Sequence, residues 1–230
     1  MRALTLLFSD GRFPAGGHAH SGGVEQACDE RIITDVAQLE DFLRGRLATA
    51  GIVAAHTAAA VCGQARRSEN LELFWRLVGE ETDSRIQSPA SRAVSRQQGG
   101  QMLRTARQVL DSPVLESLAR SSTESGCEPH HAVVVGAVAA ATDLPPLEAA
   151  EVAAYAAVSG PASAALRLLG LDPALVARVL VEMAGEIDSI AANAADATHE
   201  PMRRIPSPSA PMMDLLAEEH FDRKERLFAS

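Results

Sequence analysis

Leu39, Phe42, Leu43 and Leu47 recur at three- and four-residue intervals, with Glu40, Asp41, Arg44 and Arg46 filling the positions between them. That is the period of one helical face. It predicts a long amphipathic helix from Val36 to about Ala65, with Thr34-Asp35 as its N-cap. Ser68 precedes a second helix carrying Leu71, Phe74, Trp75 and Val78. Glu80 to Gln101 is the most polar stretch of the chain, and it holds Arg85, Arg92, Arg96 and the Gly99-Gly100 pair. Pro89 is expected to bend or delay any helix there, with helical periodicity returning from Met102 to Leu110. Asp111-Ser112-Pro113 opens a short helix with proline just inside its start, and a polar loop follows at Ser121 to Glu128.

Beyond Pro129 the pattern changes. His130 to Thr142 is almost wholly apolar, and Leu147 to Leu169 is a second apolar helix, interrupted at Ser159-Gly160-Pro161. Asp172-Pro173 caps a third, which runs through Ile187 and Ala191. Helices apolar on nearly all faces belong in a buried centre. Thr198 to Pro211, with three prolines after Ile205, has little periodicity and is expected as a mobile loop near 198–211. The tail, 212–230, is helical at first and ends in a charged string from His220 to Arg226. Nowhere do apolar and polar residues alternate as in a strand. The predicted class is all-α, a single-domain bundle of about eight to ten helices over residues 1–230, with no long linker to divide it.

Composition narrows the function classes. The hydrophobic share of 47% comes mostly from Ala, Leu and Val, with one Trp, one Tyr and six Phe, so close helix-on-helix packing is expected. A net charge of −9 and few aromatic platforms argue against a nucleic-acid binder. Cys28, Cys62 and Cys127 are odd in number and far apart, which is no disulfide framework and points to a reducing cytoplasm. MRALTLLFSD lacks a cleavage site, and the longest apolar run, Ala132–Ala141, falls far short of a membrane span. A soluble, cytoplasmic protein is therefore expected.

The most unusual stretch is SDGRFPAGGHAHSGGVEQA, Ser9 to Ala27, which packs glycine pairs, a proline and two histidines ahead of a helix starting near Val24. Glycine pairs admit positive φ and close approach, and Phe13-Pro14 fixes the chain's entry. Ser9, Asp10, Phe13, Pro14, Gly16, Gly17, Ser21 and Gly23 are the candidate structural residues of this shaped loop. An ordinary glycine-rich helix connection is the plainer reading of the same residues.

Arg167, in AALRLLG, places a charge in the apolar centre. Either it reaches solvent at a helix end, or it meets a carboxylate from the opening loop, with Glu25 and Asp10 as candidates. His18-Ala-His20 and His130-His131 lack the Cys or carboxylate spacing of a zinc site, so His20, His130 and His220 are weak metal candidates only. No Walker loop, dinucleotide fingerprint or nucleophile elbow is present, and Glu80-Glu81 reads as a solvated pair, so no enzyme emerges. At the C-terminus, Arg226-Leu227-Phe228 carries two large apolar side chains. They either fold back onto their own core or form a recognition peptide ordered by a second protein.

Taken together, SDGRFPAGGHAHSGGVE (Ser9–Glu25), SRAVSRQQGGQML (Ser91–Leu103), HHAVVVGAVAAA (His130–Ala141), AAYAAVSGPASAALRLLG (Ala153–Gly170) and MMDLLAEEHFDRKERLFAS (Met212–Ser230) resemble the urease accessory protein family UreF. The resemblance implies an all-helical, usually homodimeric, non-catalytic chaperone. It bridges the urease-binding protein UreD (UreH) and the nickel-carrying GTPase UreG for GTP-dependent nickel insertion into apo-urease. No cofactor is implied as permanently bound, and a transient nickel contact stays open. By the same resemblance Glu25 and Arg167 fall on the GTPase side, and Arg226, Leu227, Phe228 and Ser230 on the UreD side. Two departures stand out: Ala229 replaces a frequent arginine, whose role could pass to Arg223, Lys224 or Arg226, and His18 replaces a frequent aromatic. A helical metal-dependent enzyme and a stand-alone nickel carrier are the alternatives.

Overall fold

Residues 2–10, 13, 19–223 and 227–228 are described by the computed structural model, Arg2 without its side chain. The helices are α1 (Arg2–Ser9), α2 (Val24–Asp29), α3 (Val36–Arg46), α4 (Ile52–Ala65), α5 (Leu71–Asp83), α6 (Pro89–Val109), α7 (Pro113–Ser125), α8 (His131–Ala141), α9 (Pro146–Leu169), α10 (Pro173–Asp196) and α11 (Pro211–Asp222). A π-helical turn, Leu47–Gly51, joins α3 and α4 into one rod, Val36–Ala65, leaving ten rods and no strand among the described residues. The all-α prediction holds.

Local chemistry explains most boundaries. Asp35 caps α3 by accepting from Gln38 N at 2.9 Å, and Asn70, rather than Ser68, caps α5 through Leu73 N at 3.0 Å. Pro89 does not bend a helix. It occupies the first turn of α6, where a missing N–H costs nothing, and Ser88 caps that turn through Ser91 N at 2.9 Å. The polar stretch and the Met102 segment are therefore one helix of 21 residues. The loop expected from Ser121 is instead the last turn of α7, which ends at Gly126 with φ 64°.

The expected break at Ser159-Gly160-Pro161 does not occur either. Proline at 161 deprives the Ala157 carbonyl of its helical donor, and Arg46 Nε supplies one from α3 at 2.8 Å. The helix continues because a side chain from another rod repairs it.

α4 lies at the centre. Ala58, Val61 and Ala65 face the cluster built with α5 to α8, while Ala55 and Ala59 face the cluster built with α9 and α10. Small residues set the spacing: a Cβ on Gly136 of α8 would lie 2.5 Å from Ala58 O and 2.7 Å from Val61 Cβ. By length and composition Val36–Ala65 and Pro146–Leu169 are apolar enough to cross a membrane, which the single longest apolar run did not suggest. Here both are core helices packed on each other. The segment near 198–211 carries two 3₁₀ turns and is tied to the body. Gln64 donates to Thr198 O and Glu200 O at 3.1 and 2.9 Å, and Arg85 to Ile205 O and Met202 O at 3.0 and 3.1 Å.

Candidate functional site

α2 is short, yet Val24, Glu25, Gln26 and Ala27 are all buried. Gly23, at φ 91°, turns the chain into it, and Ser21 Oγ accepts from Glu25 N at 3.3 Å. This aims the Glu25 carboxylate at the returning C-terminus. Its Oε1 accepts from Leu227 N at 2.6 Å and its Oε2 from Phe228 N at 2.9 Å. A buried carboxylate is costly unless hydrogen bonded, and two backbone N–H groups meet that need. His220 Nε2 lies 3.7 Å from the same Oε2.

Phe228 is 3% exposed, and the Arg167 guanidinium sits 4.4 Å from its ring centroid, a cation–π distance. Leu227 is 70% exposed. The two apolar tail residues thus part company, Phe228 folding onto the body and Leu227 facing outward. Glu25 and Arg167 come together through Phe228, one holding its backbone and the other its ring.

A polar clamp extends this contact. Arg223 Nη1 donates to Gln26 Oε1 at 3.0 Å and pairs with Asp29, while Gln26 Nε2 donates to Glu30 Oε1 at 2.7 Å. Gln26, the neighbouring Glu219 and Arg223 hold the Glu30 carboxyl below its ordinary range, and Glu30 in turn pushes Glu219 up. One residue earlier on α11, Glu218 accepts from Ser88 Oγ and from Ala90 N at 3.0 Å, capping α6 and lowering its own pKa. Arg223, considered from the sequence as a substitute for the missing arginine, is already engaged within the chain.

The remaining candidates fall elsewhere. Ser9 Oγ donates to Thr5 O at 2.7 Å, Asp10 O accepts from Phe13 N at 2.8 Å, and Phe13 meets Phe8 edge-on at 5.3 Å. Pro14, Gly16, Gly17, His18, Arg226, Ala229 and Ser230 lie outside the described residues. His20 is buried close to His131, whose pKa burial pushes down to about 4, helped by the charge on His20. His130 bonds Ser95 Oγ at 3.1 Å and Asp83 Oδ1 at 2.9 Å, tying α5, α6 and α8, and burial lowers its pKa despite Asp83. Among the described residues no three His, Cys, Asp or Glu side chains gather as metal ligands. Burial raises Cys28 and Cys62 to about 11, so both are thiols at neutral pH.

Gln26, Asp29 and Arg223 form a clamp that the sequence reading did not assemble, because Gln26 and Arg223 are 197 residues apart and each looks like an ordinary surface residue. Arg46 was read as one polar position of an amphipathic helix. The proline in AAVSGPASAA was the one signal for it, since the freed carbonyl required a donor.

The family model for UreF matches residues 33–184. The chain belongs to the UreF family. It is 38% identical over 228 residues to a protein of Mycolicibacterium vanbaalenii named urease accessory protein UreF, covering 99% of this chain and 98% of that one. A protein of the same name from Mycobacterium sp. strain JLS is 39% identical over 232 residues, with complete coverage of both chains. That of Mycobacterium tuberculosis strain H37Ra is 37% identical over 228 residues, with 99% and 98% covered. The matched family region contains the α4–α8–α9 centre and Arg167, whereas α2 and the tail lie outside it and are reached by the full-length relatives.

Proposed function

We propose that this chain acts in urease maturation as a non-catalytic cytoplasmic scaffold. It bridges the urease-binding protein UreD (UreH) and the GTPase UreG while nickel is inserted into apo-urease at the expense of GTP. Family membership over the whole chain supports the accessory role. The observation that carries the bridging role is the convergence of Glu25, Arg167 and Phe228. In this reading the tail serves UreD, and the Glu25–Arg167 face serves UreG. One partner displacing Phe228 would therefore change the surface offered to the other. Nickel is cargo in this scheme, and the working form is a homodimer.

The scaffold biases the GTPase only as far as it binds that protein's two nucleotide states differently. Capture from a urease-positive lysate, with bound proteins identified by mass, tests the reading. Tagged chain should retain both UreD and UreG, deletion of Arg226–Ser230 should lose UreD, and Arg167→Ala should lose UreG. Retention of both partners by the truncated chain and by Arg167→Ala overturns the bridging assignment, as would GTP-independent turnover by the chain alone.

A further inference from the structure

Beside the tail contact lies a cavity of about 660 Å³, bounded by α1, the α3–α4 rod, α6, α9 and α11. Ligand sites of small organic molecules fall in about the range 300–1,000 Å³. One wall is a single face of the long rod: Arg46, Thr49, Ala50, Val53, Ala54 and Thr57 recur at three- and one-residue steps and all line the space. Met102 of α6, Val135 of α8 and Val152 and Ala153 of α9 add apolar lining, beside the polar Ser95, Gln98 and His131. The π-helical turn Leu47–Gly51 falls within this wall, and such irregularities in a helix cluster at functional sites.

Arg46 carries a charge that no described residue balances. Its two bonds, to Ala157 O at 2.8 Å and Gly22 O at 3.0 Å, go to neutral carbonyls, and no carboxylate pairs with it among the described residues. A guanidinium has five N–H donors, so three have no acceptor among the described residues. Carbonyl dipoles orient the group without neutralising it, and burial alone pushes its pKa down to about 10. Gly22 is shaped to this approach: at φ 63° it has no Cβ, which would lie 3.1 Å from Arg46 Cζ and 3.0 Å from Pro161 Cγ.

Two further observations concern the rest of the space. The chain carries a net charge of −9, yet the described lining holds Arg46, Arg85 and Arg167 against Asp10 and Asp214, and Arg85 is already paired with Glu81. Thr57 Oγ1, eleven residues and about 16 Å along the rod from Arg46, is buried with no hydrogen-bond partner. Buried hydroxyls without partners are rare; Thr57 lines the cavity while its Oγ1 is closed to a water-sized probe, so a ligand atom reaches it on rotation about χ1.

We propose that this cavity binds an amphipathic carboxylate: its anionic head on Arg46, its apolar body along Val53, Ala54, Val135 and Val152, and a polar distal atom on Thr57. The head supplies the missing counter-charge in a bidentate-capable geometry, and the distal atom satisfies the orphaned hydroxyl. The proposal does not depend on the scaffold role and stands or falls separately from it.

Isothermal titration of the full chain with 10-hydroxydecanoate, decanoate, acetate and decanol tests it. The hydroxylated acid should saturate one site per chain, decanoate should bind about 3- to 10-fold more weakly, and acetate and decanol more than tenfold more weakly still. Arg46→Gln should reduce affinity for both long acids at least tenfold. Thr57→Val, nearly isosteric, should erase the preference for the hydroxylated chain and leave decanoate binding unchanged. That second variant carries the test if Arg46→Gln fails to fold. Absence of saturable binding by either long acid, equal binding by decanol, or a preference unchanged in Thr57→Val overturns the proposal. Loss of partner capture in Arg46→Gln with no carboxylate binding would assign the charge to a protein contact and overturn it likewise.

Discussion

The α4–α8–α9 centre is held by close apolar packing, whereas the α2–α11 contact adds charged and hydrogen-bonded links to its apolar residues. In the centre, Ala, Gly and Val bring backbones together, with Ala58, Val134, Ala137 and Ala154 fully buried. Around α2 and α11 the buried Val24, Ala27 and Leu216 are joined by links in which a carboxylate or guanidinium meets a donor or acceptor: Glu25 with two tail N–H groups, Arg223 with Gln26 and Asp29, and Glu218 of α11 with the start of α6. Apolar contact is insensitive to salt and has no alternative partner. Charged contacts at a protein edge are screened and can be exchanged for those of another protein. The same chain thus combines a body that cannot rearrange cheaply with an edge that can. The difference can be broken from either side.

Gly136→Ala should have the largest effect. The added methyl would meet Ala58 O at 2.5 Å and Val61 Cβ at 2.7 Å, and neither a backbone carbonyl nor a rod fixed on two faces can yield. Overpacking of this kind costs about 3 kcal/mol, which for a chain of this size is a fall in Tm of roughly 6–12 °C. Calorimetry of wild type and variant measures it. A fall under about 2 °C would mean the centre is looser than its packing implies.

Acid should weaken the body next, through His131. Its pKa is about 4 in the fold against 6.5 when exposed, so the unfolded chain takes up the proton first as pH falls. Stability contributed by the neutral ring is complete above pH 6.5 and is lost as pH falls toward 4. The ring is partly open to the cavity, which reduces the loss to on the order of 2 kcal/mol. Urea titrations at pH 7 and pH 4.5 should show that loss in wild type and a correspondingly smaller one in His131→Gln. The lowered His130 acts in the same direction in both proteins and cancels in the comparison.

The two regions also differ in how far the sequence revealed them. The centre was legible because all-round apolar helices have only one place to go, and HHAVVVGAVAAA announces this without any knowledge of its neighbours. Its boundaries were less so: Pro89 and Pro161 read as breaks. One sits where no N–H is needed, and the other has its freed carbonyl satisfied by Arg46, which is 111 residues from that carbonyl. At the edge, Glu25, Arg167 and Phe228 were each singled out and Arg167 was expected to meet Glu25 or Asp10, but the place of Phe228 between Glu25 and Arg167 was not foreseen, because Glu25 and Phe228 are 203 residues apart. Local periodicity carries no information about such pairings. The two readings of the C-terminus were both incomplete for the same reason: adjacent residues at a chain end point to opposite sides, so Phe228 found a buried seat and Leu227 did not.

Glu25→Gln should have the smallest effect on the whole molecule and the sharpest effect on the edge. The substitution keeps the shape but replaces two charged acceptor oxygens with one neutral oxygen and an NH₂ group that faces a donor. One of the N–H groups of Leu227 and Phe228 then loses its acceptor, and the other keeps a weaker one. Hydrogen exchange at those two amides should accelerate about tenfold or more, equivalent to about 1.4 kcal/mol of local opening, while Tm moves by less than about 2 °C. Raising salt toward 1 M should weaken the Arg223–Asp29 pair and loosen the same segment in wild type without touching the amides of α4 or α8. Were the Gly136→Ala fall in Tm reproduced by Glu25→Gln, the edge would be part of the core and the division between the two regions would fail. Were exchange at Leu227 and Phe228 unaltered, the ring of Phe228 against Arg167 would hold the tail unaided, and the carboxylate would be a passenger.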